Sequence, residues 1–298
     1  DKQETFGTLF VLASAATWGM FPIVVNQTTR IIPPVYFSAL TSLLAALGFF
    51  FYALLRGKLP QLKNKQSYIP ILFVTLYIIV IPYILFFVGA SQTSGVNSSL
   101  LNLFQLVYYL LFTPLMGEKT TPEKILGALG VMIGAGLIVY NGKLTINPGD
   151  ILILLSTVTY PAGDFYAKKA LQEISAAALL FARYLLGGVF LLVFSLLTES
   201  VRPDSSVIGS FWLVILFTSL IIMFLGKICW YEGFKRLDIT KSNTLAQTSV
   251  LFSLGVLIIF FNETPTSYQW LGIVFLGIGV YLSMKRKSVD PALTKYGK

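Results

Sequence analysis

Histidine is absent from the 298 residues, and cysteine occurs once, at Cys229. The chain therefore cannot assemble the imidazole and thiolate clusters that hold structural zinc or ligate haem, nor close an internal disulfide. No cofactor or metal is expected. Charge is scarce too: Asp, Glu, Lys and Arg make up 12% of the chain, with 13 acidic against 22 basic residues. A soluble domain of this size carries about twice that share of charge. An intramembrane enzyme would need clustered nucleophiles, bases or metal ligands, and without histidine and with few intramembrane carboxylates the chain does not read as one. What is abundant is hydrocarbon. Hydrophobic residues reach 55% and the mean hydropathy is +0.77, so the solvent of this chain is mostly lipid.

About 20 apolar residues cross the hydrocarbon core as a helix, and open strands cannot, because lipid offers the backbone no partners. The apolar runs predict an all-α integral membrane protein of ten spans, near 7–26, 35–55, 69–89, 95–116, 122–140, 149–168, 176–198, 209–232, 241–261 and 267–284. The first run leads into further spans and reads as a span rather than a cleavable signal. Of the 22 Lys and Arg residues, 17 then fall on one side. Arg30, Lys143 and Arg202 fall on the other, and Arg183 and Lys227 lie inside spans. Bases are retained on the cytoplasmic side during insertion, so both termini are expected there, in a multi-pass protein of the cytoplasmic membrane. The net charge of +9 is thereby explained by topology. Because the bases sit at the ends of apolar runs and not in a basic stripe, nucleic acid is not an expected partner.

Sliding the second half over the first by about 142 to 145 residues pairs Gly7 with Gly149, Ser14 with Ser156 and Trp18 with Tyr160. It also pairs Gly89 with Gly233, Glu118 with Glu263, Gly127 with Gly272 and Gly134 with Gly279. Two units follow, 1–145 and 146–284, with a basic tail over 285–298. Five spans per unit is odd, so the units have opposite orientations, a plan that places a solute path between them.

Several segments carry a family likeness: Ala16-Thr17-Trp18-Gly19 with Phe21, Phe181-Ala182-Arg183-Tyr184, and Tyr231 to Leu237. The duplicated Leu115-Met116-Gly117-Glu118 and Ile259-Phe260-Phe261-Asn262-Glu263, each leading into a glycine-rich span, complete the set. In their order these segments resemble the drug/metabolite transporter superfamily, and in particular its EamA-type members, over essentially the whole chain. Thr41 departs from the pattern, standing where the repeat and the family favour an arginine like Arg183. The ninth span also lacks the proline often found in its middle. The resemblance implies an alternating-access transporter of small metabolites, with export of amino acids and related solutes foremost and relatives that move nucleotide sugars or sugar phosphates.

A charge inside the membrane costs about 2.5 to 3.5 kcal/mol on insertion scales, so it faces a cavity or a partner. Asp164, Arg183 and Lys227 fall at similar depth, about 6 to 10 Å from the cytoplasmic end at a rise of about 1.5 Å per residue. They form either a net-positive site for a carboxylate or phosphate, or a salt bridge with snorkelling bases. The fourth span carries a polar stripe, Ser98, Asn102, Gln105 and Tyr109, and the ninth carries Thr240, Asn243 and Gln247. Such stripes line a wet path or bond neighbouring helices. Trp18, Phe21, Tyr83, Tyr108, Tyr160 and Trp230 are candidate lining aromatics, able to stack on a solute or simply to pack. Pro22, Pro82, Pro114 and Pro161 permit kinks.

The expected function is transport of a carboxylate-bearing metabolite. Phosphorylated or nucleotide-linked solutes, an amine in an aromatic cage, and a non-transporting receptor or scaffold are the alternatives. Coupling is open between a proton antiport through Asp164 or Glu232 and passive facilitation. The other expected partners are membrane lipid at Lys285 to Lys287 and, at most, a second copy of the chain. The glycine faces of the fifth and tenth spans read as packing within one bundle.

Overall fold

The computed structural model describes residues 2–112, 122–140, 142, 147–200, 203–234, 236, 246 and 248–284. Among them there is helix, turn and loop, and no strand. The long helices fall into ten segments among the described residues. They are α1 (Lys2–Thr28), α2 (Pro34–Leu55), α3 (Lys65–Ser91), α4 (95–112), α5 (Pro122–Tyr140), α6 (148–173), α7 (Ala176–Thr198), α8 (205–234), α9 (Ser249–Phe261) and α10 (Ser267–Met284). By length and composition α1, α2, α3, α7 and α8 can each cross a membrane, while α5, α9 and α10 carry shorter apolar stretches.

Local chemistry sets the starts. Proline occupies the first turn of α2 and α6, where its missing N–H costs nothing. Ser94 Oγ accepts from Asn97 N at 3.0 Å to begin α4, and Asn147 Oδ1 accepts from Gly149 N at 2.9 Å to begin α6. Two other starts borrow a carboxylate from far along the chain. Glu199, just beyond α7, accepts from Val35 N and Tyr36 N of α2, both at 2.8 Å. Glu263, between α9 and α10, accepts from Val96 N of α4 at 3.1 Å. On the other side Asn64 donates to Glu173 at 2.9 Å, and Ser175 N donates to Gln61 at 2.8 Å. Each of these bonds joins segment ends that an alternating ten-span path puts on the same face.

The packing has an exchange pattern. α2 packs on α7 and α5 on α10, while α1 meets α8 and α9 as α6 meets α3 and α4. Swapping the halves maps each contact onto itself or another, as a pseudo-two-fold axis would. Aligned glycines sit at the crossings. A Cβ on Gly149 would lie 2.6 Å from Gly89 O, and one on Gly89 2.8 Å from Gly149 O. At the matching crossing a Cβ on Gly233 would meet Gly7 O at 3.0 Å. Gly134 and Gly272 bring α5 against α10 in the same way, so these glycine faces are used inside the bundle.

Regular helix fails at a few places, all beside the centre. α3 and α8 widen into π turns over Thr75–Val80 and Phe217–Leu225, whose starts are 142 residues apart, the repeat offset. The sequence predicts one unbroken span over 149–168. Instead α6 is two helices, Pro148–Ser156 and Tyr160–Glu173, with a turn between them. Pro161 explains the break, since its ring would strike the Thr157 carbonyl in a continuous helix. Thr159 Oγ1 uses the turn to donate to Tyr77 O, inside the π segment of α3, at 2.8 Å. α1 carries Pro22 without breaking.

Candidate functional site

Five segments, α1, α3, α6, α7 and α8, converge beside the π turns of α3 and α8 and the break in α6. Trp18 lies on α1, one turn before Pro22, and Lys227 on α8, just after its π segment; Lys227 Nζ stands over the indole ring, 4.3 Å from its centroid. Gly226 makes this approach possible, because a Cβ there would lie 2.9 Å from Trp18 Nε1. Ser14 Oγ holds the same crossing by donating to Gly226 O at 2.9 Å.

From Trp18 an aromatic chain runs to α7. Phe21 is 5.0 Å from Trp18 and 6.2 Å from Tyr83, ring centre to ring centre. The hydroxyls of Tyr83 and Tyr184 are 3.3 Å apart, and the Arg183 guanidinium stands 5.4 Å from the Tyr184 ring centre. Arg183 is 3% exposed and Tyr184 fully buried. Asp164 is exposed, three residues past the proline that restarts α6. It is close enough to Arg183, Lys227, Tyr160 and Tyr231 to act on each electrostatically. Asp164, Arg183 and Lys227 thus share one neighbourhood, and Trp18, Tyr83 and Tyr160 join them. Two further members, Tyr184 and Tyr231, stand out in the sequence only as parts of the family-like segments.

The arrangement leaves polar atoms open. Trp18 Nε1, Arg183 Nε, Ser98 Oγ and Asn102 Oδ1 are buried and make no hydrogen bond among the described residues. Buried polar groups are satisfied in nearly all proteins, so the two open atoms of the cluster, Trp18 Nε1 and Arg183 Nε, mark space for water or a ligand. Asn102 opens a tight 3₁₀ turn, Asn102–Phe104, that interrupts α4, and Gln105 follows it half-buried. Trp230 is half-buried one turn beyond Lys227. Thr41, the repeat counterpart of Arg183, is fully buried and spends its hydroxyl on Phe37 O of its own helix at 2.9 Å, so no second cation faces the centre from α2. Asn243 and Gln247 lie outside the described residues, as do Thr240, Pro114, Glu118 and Lys143.

The EamA-like transporter family model matches this chain twice, over residues 5–140 and 147–285. The chain belongs to the EamA-like transporter family. It is thus a multi-pass integral membrane transporter and not an enzyme. Among its relatives, the uncharacterized transporter YyaM of Bacillus subtilis is 27% identical over 208 residues, a match spanning 66% of each chain, just under two thirds of that relative. The uncharacterized transporter YoaV of the same organism is 20% identical over 284 residues, 92% of this chain and 95% of the relative. An uncharacterized transporter of Archaeoglobus fulgidus is 22% identical, covering 67% of this chain and 71% of its own. A solved structure described only as the crystal structure of a protein superposes with a TM-score of 0.69 at 16% identity, covering 94% of this chain and 96% of that one. That likeness shows a shared fold. Within an EamA-like transporter, the cluster between α1, α3, α6, α7 and α8 lies where the two matched units meet.

Proposed function

We propose that this EamA-like transporter is a ten-span alternating-access carrier, termini cytoplasmic, that exports a small carboxylate-bearing metabolite, with amino acids as the leading class. The observation that carries the reading is the charge balance of the central cluster. Arg183 and Lys227 are two cations against one carboxylate, Asp164, and Asp164 is exposed while Arg183 is buried. A solute carboxylate offsets the surplus charge through charge-assisted hydrogen bonds, and Asp164 remains available to a substrate ammonium.

The aromatic lining tells against a quaternary amine, since the face of Trp18 is already occupied by Lys227. Two cations also suit a phosphate, which keeps phosphorylated solutes as the second reading. Counterflow in proteoliposomes, comparing amino acids, sugar phosphates and quaternary amines, separates these. Exchange of amines alone overturns the proposal, and exchange of none of the three classes favours a receptor or scaffold role.

A further inference from the structure

At the end of the molecule away from Asp164, a second carboxylate is enclosed. Asp150, on the first turn of α6, is 2% exposed and accepts from Thr93 Oγ1 at 2.5 Å and from Asn97 Nδ2 at 3.0 and 3.1 Å. The amide of Asn97 cannot turn over, because its Oδ1 accepts from Gln269 Nε2 of α10 at 2.8 Å. Gln269 is fixed in turn, as its Oε1 accepts from the backbone N–H of Thr266 at 2.9 Å. A backbone donor thus sets the direction of the whole chain of bonds. That direction fixes Asn97 as a donor toward Asp150, whereas the Thr93 hydroxyl, which also accepts from Asn147 Nδ2 at 3.3 Å, can donate to the carboxylate or accept from the acid.

The contacts tie α6, α4 and α10 together, and α1 joins through Asn26, whose Nδ2 donates to Ala90 O at 2.6 Å and Thr93 O at 2.9 Å. No base neutralises the acid among the described residues. Arg30 of α1 reaches Asn26 Oδ1 at 3.3 Å and Thr93 O at 3.4 Å instead. Glu263, ahead of α10, is engaged with Val96 N, and Tyr268 of α10 packs its ring on Tyr140 of α5 at 5.3 Å. α3 and α4 present neutral groups, Gln92 and Asn97.

We propose that Asp150 is a proton-binding site and that its protonation opens this end of the transporter. Binding a proton turns one carboxylate oxygen into a donor facing Asn97 Nδ2–H or Thr93 O–H. The Asn97 amide cannot reorient to accept it, and Thr93 can accept it only by giving up the bond it donates, so the α4–α6–α10 closure exchanges charge-assisted bonds for weaker neutral ones. At neutral pH the end is latched; in acid it is released. The inference does not depend on the solute and differs from coupling through Asp164 or Glu232.

The test uses Ser98→Cys, a buried position beside Asn97, in a Cys229→Ser background, with an impermeant thiol reagent on the Arg30 side of reconstituted vesicles. Labelling is normalised to the exposed Gln92→Cys, which removes the effect of pH on the thiol itself. Passing from about pH 8 to about pH 5 should raise normalised labelling at least about tenfold, since a single proton-linked opening changes by up to about tenfold per pH unit. Asp150→Asn should label at the acid rate at both values. Thr93→Val retains the carboxylate while removing one of its donors, so its opening should occur at higher pH, and this variant decides the matter if Asp150→Asn does not fold. Labelling of the parent that ignores pH, or a transition unmoved in either variant that folds, overturns the proposal.

Discussion

The two polar regions of the bundle are built on opposite rules. Around Asp150 each named donor has an acceptor, and the orientation of both amides follows from one backbone N–H. Around Trp18 and Arg183 two buried polar atoms, Trp18 Nε1 and Arg183 Nε, are left open. Matched groups in low dielectric resist change, because breaking one bond strands both partners, whereas open groups have already lost their hydration and gain when something enters. The first region is therefore suited to closing the protein and the second to receiving a solute.

Substitutions can break or sharpen that contrast. Asn97→Leu should have the largest effect, leaving the Asp150 carboxylate with one donor and Gln269 with none to receive its amide; a loss of about 2 to 3 kcal/mol in unfolding stability is expected, read as a lower midpoint in detergent. Lys227→Ala should leave stability nearly unchanged and weaken an anionic substrate about tenfold in transport assays, a shift of about 1.4 kcal/mol. If instead Lys227→Ala unfolds the protein and spares affinity, the central cation is structural and the contrast fails. Asn102→Leu replaces an open polar atom by hydrocarbon, so flux should fall severalfold while stability moves by less than about 0.5 kcal/mol. The smallest effect belongs outside both regions. Arg236→Ala removes a 2.8 Å ion pair with Glu232 whose side chains are 31% and 22% exposed, and should cost about 0.5 kcal/mol or less by thermal unfolding in detergent.

Much of the central cluster is legible in the sequence because lipid makes each intramembrane charge conspicuous and the repeat equates positions. Trp18 with Tyr160, and Tyr83 with Lys227, are aligned pairs, and all four sit in the cluster. Tyr184 escapes this reading because it adjoins Arg183, and neighbours on a helix point about 100° apart, yet both are buried and the Tyr184 hydroxyl lies 3.3 Å from that of Tyr83. Asp150 escapes for another reason. An acid in the first turn of a helix is so commonly a partner of the helix dipole that the sequence gives no sign of its enclosure. The break in α6 is hidden as well, since Pro161 alone does not tell a restart from a kink, and Pro22 lies within the single helix α1.

The long-range caps on α2 and α4 bear on how the polypeptide is made. During synthesis the first five segments emerge before Glu199 and Glu263 exist, so two helices enter the bilayer with bare N–H groups at their starts. Thr93 and Asn97 likewise wait for Asp150. The early half is thus an unfinished object whose exposed donors are complemented only when the later half threads in. A chain stopped after residue 145 should be held by the insertion and quality-control machinery rather than stand alone in the membrane, and supplying 146–298 as a separate polypeptide should rescue it.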